Sequence, residues 1–216
     1  MASQASSQYM EDIQERMDAI GVFEIRNFLR TYPLEPSPAF DQNIHNPGEK
    51  RGTTILPLWQ QTNEFRDGST HWPAFTRLLA VLKPYVLCAS AMFAITHSEE
   101  YRKARVIKER RLAAQNPALA IPHGSADNCF ETVRLSANIA PTSCPLQTTH
   151  PSKLASFAVI GRRLFNGGSI AVLALGTLHA LMPGGFLVLD TAMEVHTTPF
   201  SGERYELQFF IPELDD

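Results

Sequence analysis

"GSIAVLALGTLHALMPGGFLVLDTAMEVHTTPFSGERYELQFFIP" occupies residues 168–212 of the 216-residue chain. Three short runs rich in branched and aromatic residues, "GSIAVLAL", "GFLVLD" and "RYELQFFI", are parted by "MPGG" and "PFSG". Runs of this length between glycine and proline turns read as β-strands. "CFETVRLSANIA" from residue 129 and "LASFAVIGRRLF" from residue 154 read the same way. Short strands at this spacing point to an all-β sandwich or barrel. The apolar stretch "SIAVLALGTLHALMPGGFLVL" is interrupted by Gly176, His179, Pro183, Gly184 and Gly185, so it reads as strands and turns rather than a bilayer span.

The first half reads as helix. Ile13, Met17, Ile20, Val22, Phe23, Phe28 and Leu29 recur at helical spacing over residues 8–30, with Gly21 placed to split the pattern. Residues 32–53 hold four prolines and two glycines and read as a connector or wrapping arm. "HWPAFTRLLAVLKPYVLCASAMFAI" reads as buried helix, with Pro73 suited to a first turn and Pro84 to a break or kink. In "THSEEYRKARVIKERRLAAQNP", Thr96 and Glu99 form a capping box and Pro117 ends the helix. The expected organisation is one compact domain. It has a helical segment at 1–31, a connector with supporting helices at 32–128, and a β core at 129–216.

Composition excludes several classes. A net charge of −3 gives no global pull toward nucleic acid or membrane. Three widely spaced cysteines, Cys88, Cys129 and Cys144, form no CxxC pair and suit a reducing compartment. The N-terminus lacks the apolar core of a signal peptide, so an intracellular location, cytoplasmic or nuclear, is expected. There is no G-x-S-x-G, Walker loop, G-x-G-x-x-G, H-E-x-x-H or kinase set. One local charge cluster stands out: Arg102, Lys103, Arg105, Lys108, Arg110 and Arg111. It reads as a solvated helix face or as a footprint for nucleic acid.

Residues 193–210 carry a histidine and an arginine eight positions apart. In a hairpin centred on Phe200, His196 and Arg204 would be directly opposed on one face, with Cβ atoms about 5 Å apart. Shifted by one residue, they would face opposite ways. On the second strand Tyr205, Leu207, Phe209 and Ile211 form an apolar face. Arg204, Glu206 and Gln208 form a polar one that ends at Phe210.

The order of these features resembles the double-stranded β-helix of iron- and 2-oxoglutarate-dependent dioxygenases, and within them the fungal TET/JBP-like group. The residues that carry the resemblance are Asn138, Gly167-Gly168, Pro183-Gly184, His196 and Gly202-x-Arg204. It covers roughly residues 129–212. It implies an α+β fold, with N-terminal helices packed on a jelly-roll core, and a small-molecule cosubstrate. It also implies Fe(II) held by two histidines and a carboxylate, and an arginine paired with the far carboxylate of 2-oxoglutarate. By resemblance, His196 is the distal iron ligand, His150 the other histidine and Arg204 the keto-acid clamp. The reaction implied is hydroxylation of a C–H bond, for instance on a nucleobase.

The family's His-x-Asp is missing. His150-Pro-Ser152 puts serine where the acid belongs, and an alignment three residues earlier gives Gln147-Thr-Thr149. Glu194 and Asp190 are the nearby carboxylates. Two readings follow: an active dioxygenase, or a catalytically silent relative that serves as a binding module.

Overall fold

The computed structural model describes residues 2–34, 51–114, 116–121, 128–138, 154–161, 165–190, 193 and 195–211. Three long helices come first: α1 (Ala2–Thr31), α2 (Trp72–Thr96) and α3 (Ser98–Ala114). Between α1 and α2 lies β1 (Gly52–Pro57). After α3 follow β2 (Thr132–Ala137), β3 (Leu154–Gly161), β4 (Asn166–Gly167), β5 (Ile170–Val172) and β6 (Thr177–His179). The last are β7 (Phe186–Asp190), β8 (Val195–Thr197), β9 (Phe200–Ser201) and β10 (Arg204–Phe210). The fold is α+β.

A five-stranded antiparallel sheet runs β1-β2-β10-β3-β7. A second sheet runs β6-β5-β8, and β4 pairs with β9. From β3 onward the chain alternates between the two larger sheets: β3, then β5 and β6, then β7, then β8, then β10. Strand alternation explains why the five-stranded sheet has two covered faces. Tyr205, Leu207 and Phe209 of β10 join Ala158 and Ile160 of β3 in a core with Ile25 and Phe28 of α1 and Leu78 and Leu82 of α2. Phe157 and Val159 of β3, with Phe210, join Ile170, Val172 and Val195 in a second core against the smaller sheet. Burial on both faces is why "LASFAVIG" is a continuous apolar run rather than an alternating one.

Several local expectations give way to packing. Gly21 does not split α1, which is continuous. A Cβ there would lie 3.0 Å from Ile160 Cγ2, so the glycine lets helix and sheet approach closely. Pro84 likewise sits inside a continuous α2. Thr96 is not the cap of α3: it is the last residue of α2, and its hydroxyl donates to Met92 O at 2.8 Å. The carbonyl of His97 instead accepts from Tyr101 N. By length and composition α2 could cross a membrane. Its apolarity is accounted for by Phe75, Leu78, Leu79, Leu82, Val86 and Phe93, all buried in the core. The strand β1 lies in "GTTILP" and takes in residues 52 and 53, the last two of the expected connector.

Two buried phenols fasten α1. Tyr85 donates to Asp18 Oδ1 at 2.5 Å, and Tyr205 donates to Glu203 Oε1 at 2.6 Å, where Arg26 of α1 also binds. Burial first, then the neighbouring carboxylate, raises the pKa of each phenol well above the usual tyrosine range. Folded-state values above the unfolded ones mean that the native state keeps these protons while the unfolded chain loses them. Their contribution is therefore complete below pH 10 and lost as pH rises further. Alkaline titration followed by phenolate absorbance should show Tyr85 and Tyr205 ionising only together with unfolding. Normal ionisation in the folded protein would contradict the burial.

Candidate functional site

The site is built on the polar face of β10, which lies between the two sheets. Arg204 is 1% exposed. Its main chain is fixed by Asn138: Arg204 N donates to Asn138 Oδ1 at 3.0 Å, and Asn138 N donates to Arg204 O at 2.9 Å. Asn138 adopts φ +50, a left-handed conformation that asparagine tolerates better than most residues.

The guanidinium has partners from within the chain. Nη1 donates to Glu206 Oε2 at 3.0 Å, and Nη2 donates to the carbonyl of Gly168 at 3.1 Å. Glu206, 5% exposed, also accepts from Thr197 Oγ1 of β8 at 3.2 Å. The rings of Phe165 and Phe200 lie 5.9 and 5.3 Å from the guanidinium carbon, close enough for cation–π attraction. Arg204 Nε is buried with no hydrogen-bond partner among the described residues. It abuts the backbone of Gly168, where a Cβ would stand 2.8 Å from it. Glycine there, at φ +74, is therefore required twice over: for the turn and for room beside the arginine.

The expected hairpin between His196 and Arg204 is not formed. β8 pairs with β5, placing His196 opposite Ala171, whereas β10 pairs with β2 and β3. Phe200, the supposed turn centre, sits in β9 opposite Gly167. On β8 the buried residues are Val195 and Thr197, which look toward β10. Half-buried His196 shares its face with Ala171, on the other side of the small sheet. The two residues thus do not share a face. His150, the other proposed iron ligand, lies outside the described residues, as do Gln147, Ser152 and Glu194.

Of the expected iron ligands, the described residues hold only His196. Among the described residues, no three of His, Cys, Asp and Glu converge as a metal site. Both terminal nitrogens of Arg204 are engaged within the chain, by the Glu206 carboxylate and the Gly168 carbonyl. A cavity of about 440 Å³ lies elsewhere, lined by Ile55, Pro57, Glu64, Phe65 and Thr132. Thr132 pairs with Phe210, at the end of β10 remote from Arg204.

The basic cluster on α3 is mostly committed to the protein itself. Lys108 is buried and donates to Asn128 O, Asn128 Oδ1 and Phe130 O at 2.9, 3.2 and 3.3 Å. Arg111 pairs with buried Glu131 at 2.6 Å, Lys103 with Glu99 and Arg105 with Glu109. Burial raises the Glu131 pKa despite that arginine. Arg102 and Arg110 are exposed. Reading all six as one solvated or nucleic-acid-facing surface therefore missed a buried lysine. Its signal was the helical spacing Tyr101, Ala104, Lys108, Arg111, a stripe that turns inward.

No protein-family model matches the chain, and no curated protein matches it in sequence. In structure the chain is similar to an oxidoreductase of the 2OG-Fe(II) oxygenase family from Burkholderia pseudomallei. The TM-score is 0.45 at 13% identity, over 88% of this chain and 78% of that one. It is also similar to NgTET1 in complex with 5mC DNA, with TM-score 0.46 and 13% identity, over 77% of this chain and 62% of that one. A bsmA homolog from Methylobium petroleophilum PM1 aligns with TM-score 0.31 at 12% identity, over 91% of this chain and 85% of that one. The first of these is of the family that the sequence resembles.

Proposed function

We propose that the chain is a double-stranded β-helix protein of dioxygenase type that works by binding rather than by oxidation. The observation that carries this reading is the Arg204–Glu206 pair. A cation that would receive the carboxylate of 2-oxoglutarate is neutralised by a carboxylate two residues along its own strand. The interleaving of strands between the two larger sheets supports the double-stranded β-helix. The register of His196, on the face of β8 opposite to Thr197, and the serine or threonine in place of the family's acid support the loss of iron chemistry. Nucleic acid is a poor fit as partner through α3, because most of that helix's cations are held by its own glutamates, by Glu131 or by buried carbonyls.

Anaerobic titration with Fe(II) and 2-oxoglutarate tests the reading. The expected result is no visible charge-transfer band and no rise in melting temperature with metal plus keto-acid. A saturable band, abolished by His196→Ala and weakened by Arg204→Lys, would establish the oxidising reading instead.

A further inference from the structure

Among the described strands β6 is an edge, hydrogen-bonded to β5 on one side. Its surroundings are apolar and open. Leu173 and Leu175 stand in the 3₁₀ turn just before it, which Gly176 ends at φ +59. Leu173, Leu175, Leu178 and Met182 are 53%, 56%, 65% and 57% exposed. From Leu164 to Leu189 the sequence contains no Asp, Glu, Lys or Arg. Edge strands are normally blunted by shortness, charge, proline or a bulge, because their unpaired N–H and C=O groups template pairing with another chain; at three residues β6 has the first of these. Thr177–His179 has no charged or proline residue of its own.

We propose that β6 pairs antiparallel with β6 of a second copy of this chain, about a two-fold axis at Leu178. In this register each Leu178 meets its counterpart, and Thr177 of one copy meets His179 of the other. Three features favour a second copy as occupant. An antiparallel edge is self-complementary, so the contact closes as a dimer rather than growing into a fibre. An uncharged strand meets itself without like-charge repulsion. The third is area. The four exposed side chains present on the order of 450 Å² of largely apolar surface, about that of the largest patch on a typical monomer, which is often functional. Doubled across the axis and joined by the backbone ladder, this reaches the roughly 1,000 Å² that a weak specific interface needs.

Sedimentation equilibrium and light scattering on the full chain test it. The expected result is a reversible monomer–dimer equilibrium in the micromolar range. Leu178→Lys should weaken it by about tenfold or more, since it puts two ammonium groups opposite each other. Leu178→Asp should do the same, and an equimolar mixture of the two variants should recover a dimer. Residue 178 is exposed, so each variant should keep the wild-type circular dichroism spectrum. A wild type that stays monomeric at high concentration overturns the proposal. So does a dimer indifferent to Leu178→Lys, or a mixture that stays monomeric.

Discussion

Arg204→Met should lower the unfolding free energy by about 3–5 kcal/mol, the usual cost of removing one partner from a buried ion pair. The cost arises from what remains. Glu206 would be left buried between two sheets with only Thr197 Oγ1 as its identified donor, and the carbonyl of Gly168 would lose its donor as well. Urea unfolding measures the loss. The double variant Arg204→Met with Glu206→Leu should recover most of it, because apolar residues of similar volume commonly replace such pairs at little or no cost. The pattern separates two roles for the arginine. A structural cation gives a large single-variant loss with recovery in the double variant. A cation kept for an external anion would leave Arg204→Met near neutral in stability, and that result would count against the proposed function as well.

The second large effect concerns Lys108. Lys108→Met keeps most of the side chain's length and removes only the ammonium. Three acceptors, the Asn128 and Phe130 carbonyls and Asn128 Oδ1, then lose a buried donor. At about 1–3 kcal/mol for a buried polar group left unsatisfied, and with some relaxation, the expected loss is about 3 kcal/mol. Amide exchange should quicken at Phe130 and at the start of β2, the segment these bonds hold against α3. Arg102→Met and Arg110→Met, on the exposed side of the same helix, should change stability by less than about 0.5 kcal/mol. Equal effects at all three positions would mean that Lys108 is not buried as described.

What the sequence made legible follows from periodicity. The division of β10 into an apolar face and a polar face is correct residue by residue. It is correct because period-two alternation is a property of the strand itself, whatever its neighbours. The glycine pair before β5 was noticed, and the structure supplies its reason in the space beside Arg204. Pairing was not legible. A hairpin from 193 to 210 is the economical guess for two strands joined by a short turn, but β8 and β10 belong to different sheets and the two-residue β9 intervenes. Nothing local distinguishes a turn that folds a strand back from one that carries it across to the other sheet. Glu206 is legible in the sequence as a residue on the face of Arg204, but not as the arginine's own counter-ion. Alternation puts residues two apart on one side, but only the environment decides whether they reach for solvent or for each other. Lys108 was lost for a related reason: six cations in ten residues draw attention to charge and away from the stripe beneath it.

β10 is the last strand in chain order and the middle strand of its sheet, flanked by β2 and β3. A ribosome making this chain delivers α1, the supporting helices and both flanking strands before the piece that joins them. Until then β2 and β3 have a vacant slot between them, and Ile25 and Phe28 of α1 wait for Tyr205 and Leu207. Contacts as distant in sequence as Arg26 with Glu203, 177 residues apart, close only once this segment has been made. Such long-range closure makes folding slow and leaves strand edges open in the meantime. Deleting residues 204–210 would therefore remove the strand that joins β2 to β3, not an edge of the sheet.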